Sequence, residues 1–162
     1  MVDTNINYPI PSYRYKVSIF DGSRSPTISF SEVTGLSREY NTATYRHGLS
    51  FALGYMMIPM EIKPIKISLK RGIITSQENT KYLVEWFDSM ESWQRLGFVQ
   101  TRDITISLCD ASGGPIISWK VIGAIPSKLV GPDFIASSQN VAIECMEIIA
   151  KNLEIEFESS SN

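Results

Sequence analysis

The feature that most constrains this chain is a strict period of two in its apolar residues. Over 13–20, Tyr13, Tyr15, Val17 and Ile19 fall on one side, and Arg14, Lys16 and Ser18 on the other. The same alternation returns at Ile65, Ile67 and Leu69 against Lys66, Ser68 and Lys70, and at Leu153, Ile155 and Phe157 against Glu154, Glu156 and Glu158. Successive strand residues point to opposite faces, so this period is that of a strand with one buried face. The chain is therefore expected to be mainly β.

One segment departs from the period. Leu83, Trp86, Phe87 and Met90 fall at i, i+3, i+4 and i+7, which draws one apolar stripe along a helix of about 76–91. Thr75 and Glu78 have the spacing of a capping box at its start. Further on, Ile104, Ile106 and Leu108 alternate with Thr105, Ser107 and Cys109. The turn chemistry of 110–114 follows, and a strand resumes over 116–122, which predicts a hairpin. Gly123, Pro126, Gly131 and Pro132 mark a bent crossing, and 141–149 reads as another largely apolar strand.

The region 36–58 fits no core. Residues 36–46 are β-compatible but polar on both faces, so neither face can be a core face. The run 49–58 then places Leu49, Phe51, Leu53, Tyr55 and Met57 on one side, opposite mostly small residues. Together these segments predict a long protruding hairpin that turns near His47 and Gly48 and offers edges or faces to other chains.

The 162 residues suit one domain, 1–162, with an N-terminal arm over 1–12 and a flexible tail over 159–162. A chain of this length buries enough surface to need no disulfide or metal. Fifteen basic and 17 acidic residues give a formal net charge of −2, which argues against nucleic-acid or anionic-membrane binding through a basic face. Cys109 and Cys145 have no second cysteine or histidine at metal-ligand spacing, as expected of a reduced, intracellular place of synthesis. The N-terminus lacks a basic region followed by an apolar one, and no apolar run approaches the ~18 residues of a membrane span. Synthesis in the cytoplasm without a signal peptide, and no direct membrane anchoring, are the expectations.

Catalysis finds little support. His47 is the single histidine, and a polar residue beside glycine is ordinary turn chemistry. Cys109 sits in a strand with no basic neighbour to activate it. Glu154, Glu156 and Glu158 alternate with bulky apolar residues, as on a solvated strand face, and no phosphate loop, calcium loop or paired histidine ligands occur. Trp86 and Trp119 read as core residues. No catalytic residue, cofactor or metal is expected.

Against these negatives stands one specific positive. The ordered motifs Phe30-Ser-Glu-Val-Thr-Gly-Leu36, Ile67-Ser-Leu-Lys-Arg-Gly-Ile73 and 104–119, followed by Ala124-Ile-Pro-Ser-Lys128, Gly131-Pro-Asp133 and Asn140-Val-Ala-Ile-Glu144, resemble the phage tail tube protein family over about 13–155. The family includes inner tube subunits of contractile phage tails and of extracellular contractile injection systems, with the type VI secretion tube protein as a structural relative. The resemblance implies an antiparallel β-sandwich or barrel with one packed helix, assembling with itself into stacked hexameric rings inside a sheath. Sheath protein, baseplate or spike proteins and tube initiator or terminator proteins are the implied partners, and protein is a possible cargo. The implied setting is a phage tail or a released phage-tail-like particle.

The resemblance also gives the hairpin a task. It implies a subunit interface and lumen built from Arg38, Tyr40, Thr42, Thr44, Arg46, Phe51, Leu53, Tyr55 and Met57. Six subunits contributing four strands each at ~4.8 Å would close a perimeter of roughly 115 Å and a diameter of about 37 Å. The run 49–58 is more apolar than a lumen strand of this family would be. Its bulky face could pack on the subunit's own core, seal a ring-to-ring contact, or grip a spike or baseplate component. Two other readings stand beside the main tube subunit: a tube initiator or baseplate-proximal ring protein, and a monomeric β-barrel module that binds a small molecule or an oligonucleotide.

Overall fold

The computed structural model describes residues 8–158. The expected tail at 159–162 and most of the expected N-terminal arm lie outside them. Among the described residues ten strands carry the fold: β1 (Tyr15–Phe20), β2 (Thr27–Ile28), β3 (Glu32–Thr34), β4 (Tyr40–Tyr45), β5 (Met56–Ile62), β6 (Ile65–Gly72), β7 (Arg102–Cys109), β8 (Pro115–Val130), β9 (Ile143–Ala150) and β10 (Asn152–Phe157). All their pairings are antiparallel, in the order β2-β1-β7-β8-β9-β6-β3, with β10 beside β8 and β4–β5 apart as a separate ribbon.

The long strand β8 joins two layers. Its first half pairs with β7 (Ile106 opposite Trp119) and with β10 (Leu153 opposite Val121). Its second half pairs with β9 (Leu129 opposite Met146) after a register shift between Pro126 and Lys128. Gly123, at φ +65, lies at the passage between the halves. A bulge or glycine there bends a strand and lets it serve two sheets. The expected bent crossing is thus one continuous strand.

The core lies between the layers. Ile19, Ile106 and Val121 from one side and Ile67, Leu69 and Ile148 from the other belong to one buried cluster. Each fully buried side chain of this kind stabilises by ~1.5–3 kcal/mol. The alternation in β6 reads directly as burial: Ile65, Ile67 and Leu69 are at most 2% exposed. In β10 the rule holds only at Leu153, since Ile155 and Phe157 are exposed. No pairing joins β2 to β3 among the described residues, and the antiparallel layers are those expected of the sandwich or barrel.

The helix closes one side of the core. It comprises α2 (Glu78–Asp88), a 3-10 turn (Ser89–Glu91) and α3 (Ser92–Leu96), after the short α1 (Ser50–Leu53) earlier in the chain. Tyr82, Leu83 and Trp86 are buried, with Phe87 and Met90 packed against the cluster. The Tyr82 hydroxyl donates to the Ile19 carbonyl at 3.3 Å. The expected capping box does not form. Gln77 precedes the first helical residue and no side chain caps it, because Glu78 opens the helix and is not its third residue. The C-terminal end lies beyond the expected 91, where Gly97, left-handed at φ +71, donates its N–H to Trp93 O.

Candidate functional site

The ribbon β4–β5 projects from the sandwich as an arm. Its root is fixed by a close approach: Gly35 crosses β6 at φ +94, in a backbone conformation that disfavours side chains. Beyond it, Lys63 N–H donates to Glu39 O at 2.7 Å and the Lys63 ammonium pairs with the Glu39 carboxylate, so the two legs are clipped together. Cross-strand partners run Tyr45–Met56, Thr44–Met57, Ala43–Ile58 and Thr42–Pro59, with an irregularity between Tyr40 and Thr42.

The chain turns near His47 and Gly48 as expected, but the tip is longer than a hairpin turn. Ser50–Leu53 forms one helical turn, and the second strand begins only at Met56. Local bonds decide this. His47 Nδ1 accepts from Leu49 N–H at 3.1 Å, His47 N–H donates to Ser50 Oγ at 2.7 Å, and Gly54, at φ +80, donates to Ser50 O. With no core to reward a strand face, these contacts win. His47 is therefore a structural clip of the loop.

The structure sorts the expected interface residues into two groups. Thr42, Thr44 and Met57 share one face of the ribbon, with Tyr40 beyond the irregularity. Phe51, Leu53 and Tyr55 belong to the tip, where the Arg46 guanidinium lies 5.6 Å from the Tyr55 ring centre. Arg38 precedes the ribbon near the root. None of these side chains is buried: Phe51 is 89% exposed and Leu53 73%. Packing of the apolar run on the subunit's own core is thereby excluded.

Leu49, Phe51, Leu53, Tyr55, Met56, Met57, Ile58 and Met60 are all exposed. Exposed apolar side chains concentrated on one element mark a candidate interaction surface. A lone two-stranded hairpin is marginal in water.

Cys109 is buried, and among the described residues no group of three or more His, Cys, Asp or Glu side chains could hold a metal. Trp86 is a core residue and Trp119 packs against the core. Glu154, Glu156 and Glu158 are exposed, and Glu156 pairs with Lys120 at 2.8 Å. Two buried cations escaped the sequence reading. Arg71 Nε lies 3.1 Å from Glu144 Oε1, but the two are out of line for a hydrogen bond. Arg102 stacks at 4.4 Å on Tyr82 and 5.1 Å on Trp86, with its Nε and Nη1 unpartnered. The alternation itself was the available signal, since Arg71 continues Ile65, Ile67 and Leu69, and Arg102 precedes Ile104 and Ile106 in the same phase.

Comparison with known proteins bears on the same arm-bearing sandwich. The family model described as T4-like virus tail tube protein gp19 matches residues 11–154. A chain of the PVC sheath–tube complex, an extracellular contractile injection system in its extended state, is 30% identical; 94% of this chain and 95% of that chain are covered, at a TM-score of 0.78. A chain of the PVC sheath/tube terminator is also 30% identical, with 93% and 99% covered and a TM-score of 0.79. A chain of the anti-feeding prophage tube-terminating cap is 27% identical, with 98% and 100% covered, again at 0.79. Curated protein sequences give no significant match. With the family model spanning nearly the whole sandwich and its arm, the chain belongs to the T4-like virus tail tube protein family.

Proposed function

We propose that this chain is a non-enzymatic tube subunit of a contractile injection particle, closing into hexameric rings that stack into a conduit for cargo. The observation that carries the proposal is the arm, whose ribbon has two solvent-facing sides and whose tip exposes apolar side chains that no described part of the chain covers. Unpaired strand edges are an aggregation hazard, and a ring of head-to-tail contacts pairs them while leaving a channel. The ribbon face with Thr42, Thr44 and Met57, extended by Arg38, Tyr40 and Arg46, contributes to the channel wall. Phe51, Leu53 and Tyr55 seal contacts between subunits. The similarity to chains of sheath–tube and sheath/tube terminator complexes supports a sheath around the tube and a terminator at its end.

Phe51→Asp or Leu53→Asp is expected to abolish tubes in negative-stain images while leaving a folded, soluble subunit, because both positions are exposed in the isolated chain. Unchanged tubes would remove the arm from the assembly. A second reading, a terminal ring protein, is favoured by the equally good superposition on the tube-terminating cap. Copy number per purified particle separates the two: hundreds for a tube subunit, one or a few rings' worth for a terminal protein.

A further inference from the structure

Three of the chain's six methionines, Met56, Met57 and Met60, stand within the one strand β5, and each is more than half exposed. The other methionines of the described residues are sheltered: Met146 is buried, and Met90 packs against the core cluster. The thiols are less open too, since Cys109 is buried and Cys145 half-buried, its sulfur 3.2 Å from Ser68 Oγ. The accessible sulfur of the described residues is thus gathered on the arm. We infer that β5 is an oxidation site whose thioethers a peroxide converts to sulfoxides, and that this conversion switches the free subunit out of assembly; the second half rests on the reading that the arm assembles copies.

The step balances with the peroxide as its only co-reactant. A lone pair of the methionine sulfur attacks the terminal oxygen of hydrogen peroxide or of an alkyl hydroperoxide. An S–O bond forms as the O–O bond breaks, and the proton of the transferred oxygen passes to the leaving oxygen, which departs as water or an alcohol. The thioether loses two electrons and the peroxide gains them. A thioether has no proton to give up, so here access to the sulfur decides which methionine reacts.

The strand distributes the effect. Met56 stands opposite Tyr45 and Met57 opposite Thr44, so the two fall on opposite faces of the ribbon, and Met60 lies where the register slips between Tyr40 and Thr42. Oxidation therefore sets a polar, chiral sulfoxide on both faces of an arm whose exposed neighbours include Tyr45, Tyr55 and Ile58. A flexible apolar side chain that fits many surfaces becomes one that must stay hydrated, which disrupts a methionine-rich interface. Sulfoxides can be reduced again, so the change is a switch and not only damage.

The test treats the full chain with hydrogen peroxide before tubes form and removes the excess with catalase. Peptide mass spectrometry is expected to find oxygen added at Met56, Met57 and Met60 ahead of Met90 and Met146, and the sedimentable tube fraction is expected to be lost. Methionine sulfoxide reductases acting on both epimers are expected to restore it. The triple variant Met56→Leu, Met57→Leu and Met60→Leu keeps bulk and apolarity, so its tubes are expected to form and to withstand the same treatment. Oxidation that begins elsewhere, or tubes that form equally well from the triply oxidised chain, would overturn the inference and leave the arm's role standing. So would a triple variant as sensitive to peroxide as the parent. If that variant makes no tubes untreated, the reductase step decides, since tubes it fails to restore were lost to other damage. A parent chain that makes no tubes before treatment brings down the function reading first, and the switch with it.

Discussion

A Cβ placed on Gly35 would lie 2.1 Å from the carbonyl oxygen of Lys66. This contact lies where the chain leaves β3 for the arm, and the near atoms are all backbone of β6, which no side-chain rotation can move aside. Gly35→Ala therefore meets two penalties: the φ of +94 costs ~1–3 kcal/mol for a residue with a side chain, and the clash must be relieved by displacing β6 or the arm's root. The expected result is a urea midpoint lowered by that amount or more. The surviving folded fraction is expected to assemble poorly, because the arm is aimed wrongly. A Gly35→Ala chain as stable as the parent would show that the close approach is not held in solution.

Arg71 and Glu144 form a pair with side chains only 4% and 13% exposed. Removing one partner leaves a buried charge alone, at a cost of ~3–5 kcal/mol, whereas replacing both by apolar residues of similar bulk is often neutral. Arg71→Met and Glu144→Leu are each expected to destabilise strongly, and the double variant much less than their sum. Chemical denaturation of the four-member cycle reads the coupling directly. Additive losses would mean that the two side chains do not interact.

That pair also marks how far the sequence could be read. The alternation along β6 put Arg71 on the inner face, but its partner lies on β9, and which residue of β9 stands opposite is a matter of register. Period alone does not carry register. The arm was legible for the opposite reason: 36–46 is polar on both sides, so it could not belong to a core, and the ribbon is indeed separate. Its tip was not legible. The spacing of Leu49, Phe51, Leu53 and Tyr55 mimics a strand, yet no layer waits to bury that face, and the His47–Ser50 bonds fold it into a helical turn. A groove of the body brings together Ile10, Val33 and Trp119 from distant parts of the chain, a juxtaposition that only the fold creates.

Arg102 makes a different demand. Its guanidinium lies between Tyr82 and Trp86, with burial pushing its pKa down, and no carboxylate pairs with it among the described residues. A planar, weakly hydrated guanidinium tolerates stacking where a compact ammonium does not. Arg102→Lys is thus expected to cost ~1–2 kcal/mol, from lost stacking and a harder desolvation. Arg102→Met, which keeps the bulk and removes the buried charge, is expected to cost less than Arg102→Lys. Thermal unfolding followed by tryptophan fluorescence gives the order, and the reverse order would show that the charge at this position has a partner in solution.

Acid sensitivity is expected to arise at two turns. At Asp21, the backbone N–H groups of Arg24 and Ser23 donate to Oδ1 and hold the carboxyl far below the usual range. At Asp110, the Ser112 hydroxyl at 2.6 Å and the Gly114 N–H at 2.9 Å lower it in the same way. A carboxyl whose folded pKa is depressed contributes stability that is fully present above its unfolded value, ~3.9, and is lost as pH falls through the folded value. Stability should therefore decline with falling pH below ~4. Lys70 and Lys120 behave oppositely: hydrogen bonds to Glu32 and Glu156 raise them, so their contribution is complete below ~10.4 and fades only in strong alkali. In Asp21→Asn/Asp110→Asn the amide oxygens still accept the same N–H groups, but nothing at these sites titrates. Urea midpoints measured from pH 5 to pH 2 should fall less steeply in that variant than in the parent. Equal slopes would show that the acid transition begins at other carboxylates.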